Sequence, residues 1–130
     1  MQRALATLVV VAVVLVGCGR ASERAIDVRM RYSRFQPAAL TVRAGTTIDF
    51  TLVNADPIDH EFIIGTEAQQ LAHERGDPHD PHTGPGEAAV AAGVTKHIRF
   101  TFSKPGTLIF ACHRPGHYAY GMRGTIMVTA

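Results

Sequence analysis

The chain has 130 residues, 46% of them hydrophobic, with a formal net charge of +2 and two cysteines. That length predicts one folded domain, and the charge is too small to argue for nucleic acid or for a polybasic membrane patch. Trp is absent while Gly (12) and Pro (7) are frequent, which suits short strands and tight turns better than helices.

The first residues read as an address. Arg3 supplies a charged start, and Ala4 to Val16 is apolar without a charge. This run is shorter than the ~20 residues a bilayer-spanning helix needs, so it matches a signal peptide. It ends Leu15-Val16-Gly17-Cys18, which resembles a bacterial lipobox. The reading is a lipoprotein signal peptide over 1–17, a lipidated tether over 18–25 with Cys18 carrying the lipid, and a folded domain over 26–130. An uncleaved anchor and an ordinary signal with a chance Cys are the alternatives. Lipid on Cys18 would leave Cys112 as a free thiol in an exported protein, and a metal explains such a thiol.

From Ile26 the chain alternates. Val28, Met30 and Tyr32 share one parity, with Arg29, Arg31 and Ser33 on the other, so a half-buried strand is expected. Leu40 and Val42 repeat the pattern, then Ile48, Phe50 and Leu52. Asn54 to Asp59 is rich in turn formers. His60 opens the next strand, with Phe62 and Ile64 on the same face. A rim histidine without a role is the plain alternative for His60.

Residues 67–86 read as an insertion. Glu67 to Glu74 tolerates a short helix, and Gly76 to Gly86 is a loop by composition. His73, His79 and His82 make this stretch a candidate for a second, weaker metal site; a solvated loop is the plainer reading. Ile98, Phe100 and Phe102 then mark a strand whose His97 faces outward. Ser103 to Gly106 turns the chain, Thr107 to Ala111 is a strand, and Arg123 to Thr129 closes the sequence as another, with Met127 read as packing. Seven to eight strands at this spacing predict an all-β sandwich or barrel.

Between the last two strands lies Phe110 to Met122, Phe-Ala-Cys-His-Arg-Pro-Gly-His-Tyr-Ala-Tyr-Gly-Met. Cys112, His117 and Met122 are a thiol, an imidazole and a thioether on one short Pro-Gly loop. Soft donors of this kind select copper or zinc over magnesium or calcium. A thiolate, two imidazoles and a weak axial thioether form the blue-copper arrangement; the loop offers three of the four, and His60 is the candidate for the fourth.

The spacing Cys-x4-His-x4-Met, with Asp59-His60-Glu61-Phe62 upstream, resembles the cupredoxins, the small blue copper proteins, and is similar to that of rusticyanin-like members. The resemblance implies a Greek-key β-sandwich, one copper per chain, and His60, Cys112, His117 and Met122 as ligands. It implies that electrons cross at the exposed edge of His117, with Tyr118 and Tyr120 flanking that exit or simply packing in the loop. Glu61 stands where azurin- and plastocyanin-like members commonly carry an Asn that ties the two ligand loops together. His113 beside Cys112 is similar to the multicopper oxidases, but no His-x-His pair is present, so no oxidase activity is expected. The resulting expectation is a monomeric carrier of single electrons between extracytoplasmic redox partners, lipid-anchored on the outer face of a bacterial membrane. Copper storage or delivery is the alternative.

Overall fold

The computed structural model describes residues 23–76 and 83–130. The signal and Cys18 fall outside these residues, as do His79 and His82. Nine strands and one helix follow in order: β1 (Glu23–Met30), β2 (Phe35–Gln36), β3 (Ala39–Arg43), β4 (Thr46–Asn54), β5 (His60–Gly65), α1 (Glu67–Glu74), β6 (Glu87–Val90), β7 (Thr95–Phe102), β8 (Gly106–Ala111) and β9 (Arg123–Thr129). They form two sheets, ordered β2-β1-β4-β7 and β3-β9-β8-β5-β6. The chain crosses from sheet to sheet repeatedly, as a Greek-key sandwich requires. The strands beyond the expected seven to eight come from β2 and β6, the two shortest, of two and four residues.

The alternating positions meet between the sheets. Val28, Met30, Ile48, Phe50 and Leu52 from one sheet are buried against Phe62, Phe110, Ile126 and Val128 from the other. The Phe62 ring lies 5.2 Å from Phe110 and 5.4 Å from Phe50, the separation at which aromatic pairs add to area burial. Gly124 leaves no space for a side chain, because a Cβ there would meet the Phe110 ring and the Ala38 carbonyl.

Two features depart from the alternation. β1 begins at Glu23, inside the stretch read as tether, because it pairs in parallel with β4 from Glu23 opposite Thr47 to Met30 opposite Asn54. It ends at Met30 and does not continue to Ser33, since Tyr32 and Ser33 take left-handed backbone angles (φ 55° and 51°). β5 is buried at all six positions, where alternation predicts one buried face. The helix explains this. Thr66 and Gln69 form a capping box at its start, and fully buried Gln70 donates from Nε2 to the carbonyls of Ile63 (2.9 Å) and Ile109 (2.8 Å). α1 thereby covers the outer side of β5 and β8 beside the loop that follows them.

Candidate metal centre

β5 and β8 run antiparallel with Ile63 opposite Ala111. That register brings the first residue of β5, His60, to the same end as Cys112, the residue just past β8. His117 arrives from the loop, and Met122 is the last residue before β9. Backbone hydrogen bonds close the loop: His117 N–H to the Arg114 carbonyl (2.9 Å), Met122 N–H to that of His117 (2.9 Å), and Cys112 N–H to that of Met122 (3.1 Å). Gly116, at φ 83°, makes the turn where a Cβ would strike the Tyr120 ring.

The donor atoms converge. Cys112 Sγ lies 3.4 Å from His117 Nδ1 and 3.9 Å from His60 Nδ1. All three ligand atoms fall within 4.8 Å of one another. Metal–sulfur and metal–nitrogen bonds of about 2.3 and 2.05 Å at a trigonal angle place sulfur and nitrogen ~3.8 Å apart, so the side chains already stand around a space the size of one ion. Met122 is fully buried beside them in the loop, as are His60 and Cys112, while His117 is half-buried. Thiolate, two imidazoles and a thioether fit copper.

The segment before His60 is knotted by side chains. Asn54 donates from Nδ2 to the carbonyls of Ile58 (2.8 Å), Val90 (3.0 Å) and Ala91 (3.1 Å), and its Oδ1 accepts the Asp56 N–H at 3.0 Å. Asp56 Oδ2 lies 2.8 Å from His60 Nε2, leaving Nδ1 to face the thiol. The same carboxylate accepts the N–H groups of Tyr32 (2.7 Å) and Ser33 (2.8 Å), which accounts for their left-handed backbone. Glu61 uses both its ends: its N–H points at Cys112 Sγ (3.3 Å), and its Oε2 accepts the His113 N–H (3.1 Å). It therefore ties the two ligand segments together, the task the Asn performs in the resembled proteins.

Burial pushes the Cys112 thiol up from 9.0 to about 11, against the opposing N–H groups of Arg114 and Glu61. Deprotonation is thus left to metal coordination. Burial, with His60 and Arg114 nearby, lowers the His117 pKa, keeping that ring neutral and ready to ligate. Burial acts to raise Asp56, but the Ser33 N–H, the His60 ring and the Tyr32 N–H outweigh it and hold the carboxyl below its usual value.

The other singled-out residues disperse. His73 stacks on His113 at 5.6 Å and lies 3.3 Å from Glu87 Oε1; among the described residues, His60, Cys112 and His117 are the one group able to hold a metal. His113 reaches Glu74 at 2.7 Å and Gln70 at 2.6 Å, so it fastens the loop to α1. The two loop tyrosines separate: Tyr118 is buried, stacked on His113 at 5.1 Å with Arg123 across its other contact at 5.1 Å, whereas Tyr120 is 76% exposed. Met127, read as packing, is instead on the outward face of β9 and exposed. Asn54 and Asp56 escaped the sequence reading. The available signal was an Asp four residues before the ligand, in a segment otherwise legible only as turn.

Two packed antiparallel-rich sheets with a thiol, two imidazoles and a thioether at one end define a cupredoxin. The profile of the copper binding proteins of the plastocyanin/azurin family matches residues 23–129, and the chain belongs to that family. It is 44% identical over 98 residues to the copper-resistant cuproprotein CopI of Rubrivivax gelatinosus, covering 73% of this chain and 59% of that protein. It is 28% identical over 139 residues to CopI of Pseudomonas aeruginosa, covering 82% and 77%. Dithionite-reduced auracyanin of Roseiflexus castenholzii superposes with a TM-score of 0.71 at 26% identity, over 85% of this chain and 99% of that one. The chain thus spans about three fifths of the Rubrivivax relative's length.

Proposed function

We propose that the protein holds one copper ion at His60, Cys112, His117 and Met122 and carries single electrons between extracytoplasmic redox partners. The observation that carries this reading is the pre-assembly of three donor atoms within 4.8 Å of one another, held by hydrogen bonds from two ligand segments. Bound copper supplies a one-electron couple. The chain's own part is to fix the donors so that a change of charge needs little movement, and to exclude water by burying His60, Cys112 and Met122. The half-buried ring of His117 is the ligand with an edge toward solvent, and Tyr120 lies beside it over Gly116. These features suit a carrier, and no substrate-activating role is assigned to any residue. Copper-loaded protein should show an intense blue band, a reversible potential and fast electron self-exchange. A colourless copper complex, or irreversible reduction, would contradict the reading.

A second reading is copper handling, favoured by the relatives named for copper resistance. Under it, a chelator or an acceptor protein withdraws the ion within minutes, and self-exchange is slow. Export and attachment through Cys18 belong to the same proposal. The mature protein should partition with membranes, and Cys18→Ala should release it or block its processing; unchanged partitioning would rule the anchor out.

A further inference from the structure

Two buried carboxylates stand behind the donor set, one through each ligand segment. Asp56 is 7% exposed and Glu61 5%. Such groups are rarely buried without a compensating purpose, and the hydrophobic packing of the sandwich needs neither. Asp56 accepts three donors: Tyr32 N–H on Oδ1, Ser33 N–H and His60 Nε2 on Oδ2. An oxygen pair surrounded in this way is an acceptor, hence a carboxylate. The two N–H groups come from consecutive non-glycine residues at φ 55° and 51°, a backbone state that is costly and persists where the surroundings enforce it. Successive N–H groups in that conformation form an anion-binding concavity. The loop between β1 and β2 is therefore shaped around the Asp56 charge. Glu61 sits next to His60 in the chain and grips the N–H of His113, next to Cys112. A carboxylate on the far nitrogen of a ligating imidazole makes the ring a stronger donor, and any fixed negative charge near the ion favours its higher charge state.

We propose that Asp56 and Glu61 are positioning residues that bias the site toward Cu(II), each by at least a factor of ten in the ratio of Cu(II) to Cu(I) affinity. The inference rests on the copper reading above. It implies a site that gives up its electron readily and keeps the oxidised ion, a property useful to a carrier feeding a strong acceptor and to a protein that must retain copper.

Asp56→Asn and Glu61→Gln keep size while removing one charge each. The Gln oxygen can still accept the His113 N–H, whereas Asn turns one of the two accepting oxygens of Asp56 into an NH2 donor and so gives up part of its grip on Tyr32, Ser33 or His60. Redox titration of the copper-loaded proteins against a mediator should show the potential rising by 59 mV or more per variant, the equivalent of tenfold for one electron. The blue band should survive in both. The metal-free proteins give an independent readout: Asp56→Asn should let His60 Nε2–H exchange with solvent faster by NMR, while Glu61→Gln should leave that proton unchanged. A rise smaller than 59 mV (less than tenfold) or a fall in either variant overturns the inference for that residue while leaving the copper site standing. A wild-type protein that takes up no copper, or stays colourless with it, instead sinks the reading underneath. Should Asp56→Asn fail to fold, Glu61→Gln alone decides, since it does not touch the Tyr32–Ser33 loop.

Discussion

The two imidazoles of the centre are held in contrasting ways. His60 is fully buried and locked through side chains: Asp56 grips its far nitrogen, and Asn54 fixes the turn that delivers it. His117 is half-buried and set mainly by backbone, through the hydrogen bonds that run from Arg114 through His117 to Met122 and Cys112, while the side-chain ties of its loop fall on His113 and not on the His117 far nitrogen. The difference separates two tasks. One segment makes the site rigid and dry, and the other presents an edge to the outside on a loop only as wide as its own turns.

The largest effects should come from removing each ring in turn. His60→Gly and His117→Gly should both weaken copper binding by more than the roughly 10–100-fold that changes behind the ligands cost, as read by competition with a chelator. Added imidazole should restore the blue band in His117→Gly, where a path from solvent exists, and should fail in His60→Gly. Equal rescue of both would erase the contrast.

Next in size is the knot before His60. Asn54→Ala removes a side chain that bonds three carbonyls and one N–H, and should lower the metal-free protein's stability by about 2–4 kcal/mol in urea denaturation. No single side chain on the His117 side should cost as much.

A comparable but pH-dependent effect follows from Cys112. Its folded pKa is raised, from 9.0 to about 11, so its contribution to metal-free stability is present below pH 9 and lost as pH climbs to 11. At ~1.4 kcal/mol per unit, that decline is about 2–3 kcal/mol, and Cys112→Ala should lack it. Copper binding near neutral pH should accordingly release the thiol proton, measurable in weakly buffered titrations. The smallest effect belongs to Tyr120→Ala, which should leave stability within about 0.5 kcal/mol while changing the rate of electron exchange at the His117 edge.

Periodicity made most of the sandwich legible, because strands such as β9 alternate cleanly, with Gly124, Ile126 and Val128 buried between exposed Arg123, Thr125, Met127 and Thr129. It failed at β5, where α1 covers the outer side and both faces are buried, and at Tyr32 and Ser33, whose conformation is dictated by a carboxylate more than twenty residues away. The donor set was legible because thiol, imidazole and thioether lie at fixed spacing on one loop. Its supports were not: Asn54, Asp56 and Gln70 look in sequence like ordinary turn and helix residues, and only the tertiary structure shows what their side chains grip. Glu61 was noticed as a departure from an expected Asn, and it proves to bridge the same two segments with a longer arm.

Parallel titration of the metal-free wild type and Cys112→Ser with Cu(II), followed by visible absorbance, tests the centre most directly. The wild type should turn blue and saturate at one equivalent per chain, and the variant should show no blue band at any ratio. Blue colour that survives loss of the Cys112 thiol, or a wild type that binds copper without colour, would contradict the convergence of that sulfur with His60 and His117 on a single ion.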